Sequence, residues 1–263
     1  MKISFPQFPT FSFSHSHIFI FSHCICLACL LVLSGCRRPA VDRVEWTVMD
    51  TVAAVQFRGS PADADKDVVR LVRDAFDRIV GEFNAFDPQS AINRLGRCTE
   101  FGRPCWDFAF RLKEQTGGAF DPDWRKTGKL DFGAVAKGFA VDVAADAVLS
   151  NAPPGLCDLL IDLGGNLKAV KGDWKIGVMD GEAFVLHEGE ACATSARYFR
   201  GDHIKDARSG EAAGGTVHSV TAIHPSSAMV ADGLSTVMFI LGHEKGEDFC
   251  RTRFPETRLI WLP

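Results

Sequence analysis

Two side chains four residues apart in "ADGLSTV" have the chemistry of a hard-metal site. Asp232 and Thr236 fall on one face of the helix that "SSAMVADGLSTVMFILG" (Ser226–Gly242) is expected to form. A carboxylate and a hydroxyl are hard oxygen donors. They suit Mg²⁺, which keeps several waters and shares its shell with substrate phosphate. A solvated Asp beside a Thr bonded to its own helix has the same spacing, so both readings stand. A second constellation lies in "LDFGAVAKGFAVDVAADAVLS" (Leu130–Ser150). It reads as a strand end, a small-residue turn and an amphipathic helix. Lys137 falls near the positive end of that helix, where a cation is disfavoured, and Asp131 lies six residues upstream. Gly133, Ala134, Ala136 and Gly138 keep the first turn bare. Bare amides at a helix start attract anions, and a phosphate there would make Lys137 favourable. The alternative is a lysine reaching into solvent. Third, "TSARYFRGDHIKDARSG" places Thr194-Ser195 after a strand and His203 and Asp206 in a polar turn. That pair can do acid/base work or simply line a surface turn. The chain has no GxSxG, Walker loop or HExxH, which removes sequence support for those hydrolase, P-loop and zincin chemistries.

These residues need a scaffold, and the chain supplies both periods. "EWTVMDTVAAVQFRG" (Glu45–Gly59) alternates loosely, as a strand or strand pair does. A helix follows, with Ser60 as cap and Pro61 at its first position. Val68, Val69, Leu71, Val72, Phe76, Ile79 and Val80 recur at helical spacing until about Asn84. "DPQSAINRLGR" reads as a turn and short helix. "WDFAFRLKEQTGG" reads as a helix closed by Gly117-Gly118, and "AFDPDWRKTGK" as loop. On the later helix Val135, Phe139, Ala140, Val143, Ala144, Ala147 and Val148 form one apolar face, ended by Asn151-Ala152-Pro153-Pro154. The second half is mostly strand: "DLLIDLGGNLKAVK" turning at Gly164-Gly165, then "DWKIGVMD", "EAFVLHEGEACATSA", "SVTAIHP" and a closing "TRLIWLP". Helices with many non-alternating strands indicate α+β, with mixed or antiparallel sheets packed against helices.

The amino-terminal 35 residues differ from the rest. Lys2 is their only charged side chain, and "IFIFSHCICLACLLVL" (Ile18–Leu33) runs into "LSGC". The run is short of the ~20 apolar residues of a membrane span and has the shape of a secretory signal. Leu33-Ser34-Gly35-Cys36 resembles a bacterial lipobox. That implies residues 1–35 as a signal peptide, lipidation at Cys36, a tether over 36–43 and a domain over 44–263. The protein would then be lipid-anchored on the extracytoplasmic (periplasmic) side of a bacterial membrane. The whole chain has 29 Lys and Arg against 33 Asp and Glu; without Lys2 the mature part carries 28 against 33, a net charge of −5. No basic stripe suggests nucleic acid. Beyond Cys36 remain Cys98, Cys105, Cys157, Cys192 and Cys250, without CxxC spacing. This argues against a zinc site. Cys98 and Cys105 bracket a short loop, so either a disulfide or two buried thiols fits.

Eight segments, in order, resemble the FAD:protein FMN transferase (ApbE) family. They are "MDT" at Met49, "FNAFDPQSAINRL", "TGGAFDPDW", "LDFGAVAKGFAVD", "LIDLGGNLKAV", "ATSARYFR", "HIKDARSG" and "SVTAIHPSSAMVADGLSTVMFILG". The resemblance implies an ApbE-like (T-fold-like) architecture and a Mg²⁺-dependent enzyme. Such an enzyme moves FMN from FAD to a Thr or Ser hydroxyl of a flavoprotein outside the cytoplasm and releases AMP. It also allows a FAD pyrophosphatase making FMN and AMP, or a non-catalytic flavin-binding lipoprotein. Carried over position by position, Asp232, Thr236, Ser235 and the Ala134 carbonyl belong to the metal site. Met49, Phe86, Ala119, Phe120, Asp121, Asp131, Lys137 and the Ile204 backbone match FAD-contacting positions. His203 and Asp206 match the motif near the reacting phosphates, as candidates for the base. Four departures stand out. The segment between "GAFDPDW" and "LDFG" is short, the link between "TSARYFR" and "HIKDARSG" lacks the family's hairpin, Ala196 replaces a Gly, and "DARSG" lacks the proline of the family turn.

Overall fold

The computed structural model describes residues 41–59, 62–151, 155–179, 181, 183–197, 201, 203–213 and 215–262. The signal segment, Cys36, the Ser60-Pro61 helix start and Pro153-Pro154 lie outside them. Strand β1 (Val41–Val48) and β2 (Thr51–Arg58) form a hairpin in full register from Val41↔Arg58 to Val48↔Thr51. The pairing therefore begins inside the segment expected to be a tether, because β2 offers partners as far as Val41. Met49 and Asp50 make the tight turn, with φ of 52° and 54°.

Helix α1 (Ala62–Phe83) buries Val68, Val72, Phe76, Ile79 and Phe83 at helical spacing. The short α2 (Ala91–Leu95) and α3 (Arg103–Gln115) follow. Leu130 and Asp131, expected as a strand end, join no ladder; Asp131 N–H donates to the Pro122 carbonyl at 2.9 Å. Helix α4 (Ala136–Asn151) is buried on more than the expected stripe, since Ala136, Val141 and Ala145 are enclosed as well. It packs against α1, α5, β3 and β4 at once, so it is a central helix rather than an amphipathic surface one.

The remaining elements are β3 (Asp158–Leu163), β4 (Asn166–Lys171), β5 (Trp174–Ile176), β6 (Phe184–Leu186), β7 (Ala191–Ala196), β8 (Ser219–His224), α5 (Ala228–Leu241), α6 (His243–Arg253) and β9 (Arg258–Leu262). A seven-stranded sheet runs β1-β2-β3-β4-β7-β8-β9, and every neighbouring pair is antiparallel. The helices cover one face and build the main core with it. On the other face the β5–β6 hairpin closes a smaller cluster around Leu160, Trp174, Leu186, Cys192 and Ile223. Helix α6 was not visible in the sequence pattern. Only Gly246 and Cys250, one turn apart, are buried on it, which leaves too little apolar signal to reveal a period. All five described cysteines are thiols, and Cys98 and Cys105 are both buried and unbridged.

The registers set the site. Ala53 faces Leu163, Leu167 faces Cys192 and Ser195 faces Val220. The Met49–Asp50 turn, the Gly164-Gly165 turn and the end of β7 therefore lie at one end of the sheet.

Candidate active site

Asp232 sits in the second turn of α5 and is 5% exposed. Its Oδ2 accepts the Gly138 N–H of α4 at 2.9 Å and lies 3.9 Å from Lys137 Nζ. Burial pushes its carboxyl pKa up; Lys137 and the Gly138 N–H pull the other way without cancelling it. Lys137 does not reach into solvent. Its ammonium also donates to the Gly133 carbonyl, and its side chain is only 24% exposed. The carboxylate of α5 thus supplies what the start of α4 withholds from a cation.

The helix pair is locked by a buried contact one turn further on. Asp142 of α4 accepts Ala228 N–H at 2.8 Å, Met229 N–H at 3.0 Å and the Ser227 hydroxyl at 2.7 Å. It therefore caps α5 from a neighbouring helix. Lys168 of β4 meets the same carboxylate at 2.8 Å and donates to the Ser226 carbonyl. His224 Nδ1 accepts the Ser226 and Ser227 N–H groups, at 3.2 and 3.0 Å. Gly138 permits the close approach: a Cβ there would lie 2.2 Å from the Ala228 carbonyl oxygen.

Hydroxyls gather beside Asp232. Thr194-Ser195 lie within β7 rather than after a strand. Ser195 Oγ is 2.9 Å from Ser235 Oγ and 3.3 Å from Thr236 Oγ1, and Ser235 Oγ donates to the Asp232 carbonyl. Ala134 precedes α4. The Gly138 N–H that would close a helical turn on its carbonyl goes to Asp232 instead. Asp232, Thr236 and the Ala134 carbonyl are therefore hard oxygen donors of the kind Mg²⁺ takes. Among the described residues no group of three or more His, Cys, Asp or Glu could hold a metal. A site with one carboxylate relies on neutral oxygens, water and substrate phosphate.

The loops around this centre are tied to one another. Phe132 is buried among Phe83 and Trp106 and anchors the turn before α4. Asp131 caps that turn through Gly133 N–H at 2.9 Å, while Trp124 Nε1 and Arg125 approach its other oxygen at 3.3 and 3.4 Å. Asp123 accepts Thr127 and Gly128 N–H groups, so the shortened 123–130 segment is a closed turn. Asp121 is held by Lys113 at 3.0 Å and by Lys126. Burial would raise its pKa, but the two lysines outweigh that and lower it. Phe120 N–H is held by the Thr116 hydroxyl at 3.1 Å, and the Ala119 carbonyl accepts Ala207 N–H at 3.0 Å. That last bond joins the 119–121 loop to the 203–213 loop.

In the 203–213 loop the Ile204 carbonyl accepts Ala213 N–H and the Asp206 carbonyl accepts Gly210 N–H. Arg208 pairs with the Asp206 carboxylate and lowers its pKa. Hydrogen bonds thus give this turn the stiffness the missing proline would have given. His203 is exposed, and its Nδ1 lies 3.0 Å from the Gly201 carbonyl. A carbonyl only accepts, so Nδ1 is the donor in this contact, and in the neutral ring the lone pair is then on Nε2. Met49 and Phe86 enter from separate loops. Met49 packs on the main core, while the Phe86 ring is 79% exposed. A groove of about 670 Å³ between β1 and α1, lined by Val44, Asp65 and Arg73 among others, contains none of these residues.

The ApbE family profile matches residues 123–261, just over half of the chain, and covers α4, α5 and the 203–213 loop. This chain belongs to the ApbE family. A curated ApbE relative from Vibrio cholerae, named FAD:protein FMN transferase, is 25% identical over 303 residues, covering 84% of this chain and 88% of that protein. One of the same name from Treponema pallidum is 28% identical over 270 residues, with 90% and 70% covered. The crystal structure of the ApbE protein from Thermotoga maritima superposes with a TM-score of 0.70 at 21% identity. It covers 85% of this chain and 94% of that one, and shows that the fold is shared.

Sequence reasoning missed the ApbE chain's Asp142–Lys168 lock and the contact of Ser195 with Ser235 and Thr236. Asp142 lies inside the quoted "AKGFAVD" motif, five residues after Lys137, and that spacing was the available signal. Nothing in the sequence pairs Ser195 with a helix forty positions away.

Proposed function

We propose that this protein is an FAD:protein FMN transferase, the activity its curated relatives are named for. It moves FMN from FAD to a Thr or Ser hydroxyl of an extracytoplasmic flavoprotein, with Mg²⁺ bound and AMP released. The observation that carries this reading is that Asp232 Oδ2 accepts the Gly138 N–H at the start of α4 and lies 3.9 Å from Lys137 Nζ. Asp232, Thr236 and the Ala134 carbonyl would hold the metal. When bound, Mg²⁺ neutralises charge on the pyrophosphate oxygens and fixes the phosphorus for in-line attack.

The protein's own residues do the rest. Lys137 stabilises phosphate charge, whereas the Gly133, Val135, Ala136 and Gly138 amides expected to bind it are taken by Asp131, Phe132 and Asp232. Asp131 and the 119–121 loop, with Phe86 and Met49, hold the nucleotide. The acceptor hydroxyl oxygen bonds to the FMN phosphorus, and the bond from that phosphorus to the AMP oxygen breaks. The hydroxyl proton passes to Nε2 of His203. Asp206, committed to Arg208, shapes the loop and is the poorer base. Because His203 is exposed, water can stand in for the acceptor, which gives FMN and AMP as a second outcome. The chain works while anchored by acyl groups on Cys36. Among the described residues no helix is long and apolar enough to cross a membrane.

The test is incubation with FAD and Mg²⁺, with and without a flavoprotein bearing an exposed Thr. AMP release and protein-bound flavin are measured. AMP only with acceptor, matched by bound flavin, is the expected result. AMP without acceptor identifies hydrolysis, and flavin binding without AMP overturns the enzymatic reading.

A further inference from the structure

We propose that Ser195 is a positioning residue that fixes the Thr236 hydroxyl with its lone pairs toward the metal. This rests on the reading of Asp232 and Thr236 as metal ligands. The argument is a count of protons along three hydroxyls. Ser235 Oγ has one proton, and it goes to the Asp232 carbonyl, which can only accept. Ser235 must therefore accept in its 2.9 Å contact with Ser195, so Ser195 donates its own proton there. Ser195 has no second proton. In its 3.3 Å contact with Thr236 it can only accept, and Thr236 donates. The direction of the whole relay, Thr236 to Ser195 to Ser235 to the Asp232 carbonyl, follows from its last member.

The consequence concerns the ligand. A neutral threonine that binds a cation must offer a lone pair and place its proton elsewhere. Ser195 provides that place. Its position on β7 makes this dependable. Thr194 faces the opposite side, where its hydroxyl meets Thr221 at 2.8 Å, so strand alternation sends Ser195 toward α5. Ser195 is 8% exposed and Ser235 1%, so solvent is not at hand to replace either partner. The Ser235 hydroxyl supports the relay with its proton on the Asp232 carbonyl, and one of its two lone pairs remains for the metal site.

The test uses Mn²⁺ as the probe, titrated into the full-length protein with FAD and followed by electron paramagnetic resonance of free Mn²⁺. Thermal melting of each variant is recorded alongside. Ser195→Ala is expected to weaken Mn²⁺ binding roughly 10–100-fold, as loss of an outer partner does. Ser195→Thr restores most of it. Ser235→Ala should weaken binding too, because Ser195 is then free to turn its proton on Thr236. In a Thr236→Val background, which is itself weakened, Ser195→Ala should change nothing further. An equal loss from Ser195→Ala in both backgrounds overturns the relay, as does unchanged Mn²⁺ binding in both Ser195→Ala and Ser235→Ala. Absence of saturable Mn²⁺ binding in the wild type removes the metal reading itself, and the relay with it.

Discussion

The Gly138 N–H donates to Asp232 Oδ2 at 2.9 Å, across 94 positions of sequence. This one bond joins the two motifs that carry the chemistry. It places a buried carboxylate beside Lys137 and diverts the N–H that would otherwise close on the Ala134 carbonyl. The metal-binding oxygens of the proposed site are thus a property of two helices together.

Asp232→Asn keeps the shape of the side chain and removes its charge. Metal affinity should fall by more than the ~10–100-fold typical of an outer partner, and flavin transfer should fall to background. Chelation of the wild type should do the same, with recovery on adding Mg²⁺. Unchanged Mg²⁺-dependent turnover in the variant would remove Asp232 from the metal site.

Gly138→Ala tests the close approach of the helices. The new Cβ would stand 2.2 Å from the Ala228 carbonyl oxygen and 2.7 Å from Met229 Cα, both backbone atoms that cannot turn aside. A loss of ~1–3 kcal/mol in denaturant unfolding is expected, with weaker metal binding because Asp232 shifts with α5.

Asp142→Ala should cost about 3–5 kcal/mol, since it leaves Lys168 buried without its partner and uncaps α5. For a chain of this size that is a drop of roughly 10 °C in Tm. Removing both charges, in Asp142→Asn with Lys168→Met, should recover part of the loss. A double variant as unstable as Asp142→Ala would show that the capping bonds, not the charge, dominate.

Stability should fall as the medium turns mildly acidic, through His224. Burial lowers its pKa, against the pull of Glu256 and Asp142, while Lys168 acts with burial. The unfolded chain then binds the proton more readily than the native one, so stability is present above the ordinary histidine value of 6.5 and declines as pH drops below it. Protonation also removes the Nδ1 lone pair that holds Ser226 and Ser227. His224→Asn keeps an acceptor but cannot titrate, so its unfolding free energy should change less between pH 7.5 and 5.5. Equal slopes would assign the pH dependence elsewhere.

Phe86→Ala should leave stability within about 0.5 kcal/mol, because the ring is already 79% exposed. Weaker FAD binding in equilibrium titration is the expected effect. Unchanged affinity would separate Phe86 from the flavin.

Much of the fold can be read along the chain, and the reasons differ by element. Helix α1 announces itself because Val68, Val72, Phe76 and Ile79 share one face. The β3–β4 turn does so because Gly164 and Gly165 both need positive φ. Helix α4 reads as a helix but misleads about its surroundings, since a run of Ala and Val looks similar whether one face or several are covered. Helix α6 is silent, having two buried positions. The site divides in the same way. Asp232 and Thr236 are neighbours by helical spacing, and His203 and Asp206 by their turn, so sequence finds each pair.

The sequence by itself determined the residue types, the local spacing that puts ligands on one helix face, and the ordered motifs of the ApbE family. Tertiary structure alone decided that Lys137 faces Asp232 instead of solvent, that Asp142 caps a helix other than its own, and that Ser195 reaches Thr236. The physical reason is range. Periodicity and capping act over a few residues, whereas these contacts arise only when the sheet register and helix packing bring segments forty to ninety positions apart within hydrogen-bond distance.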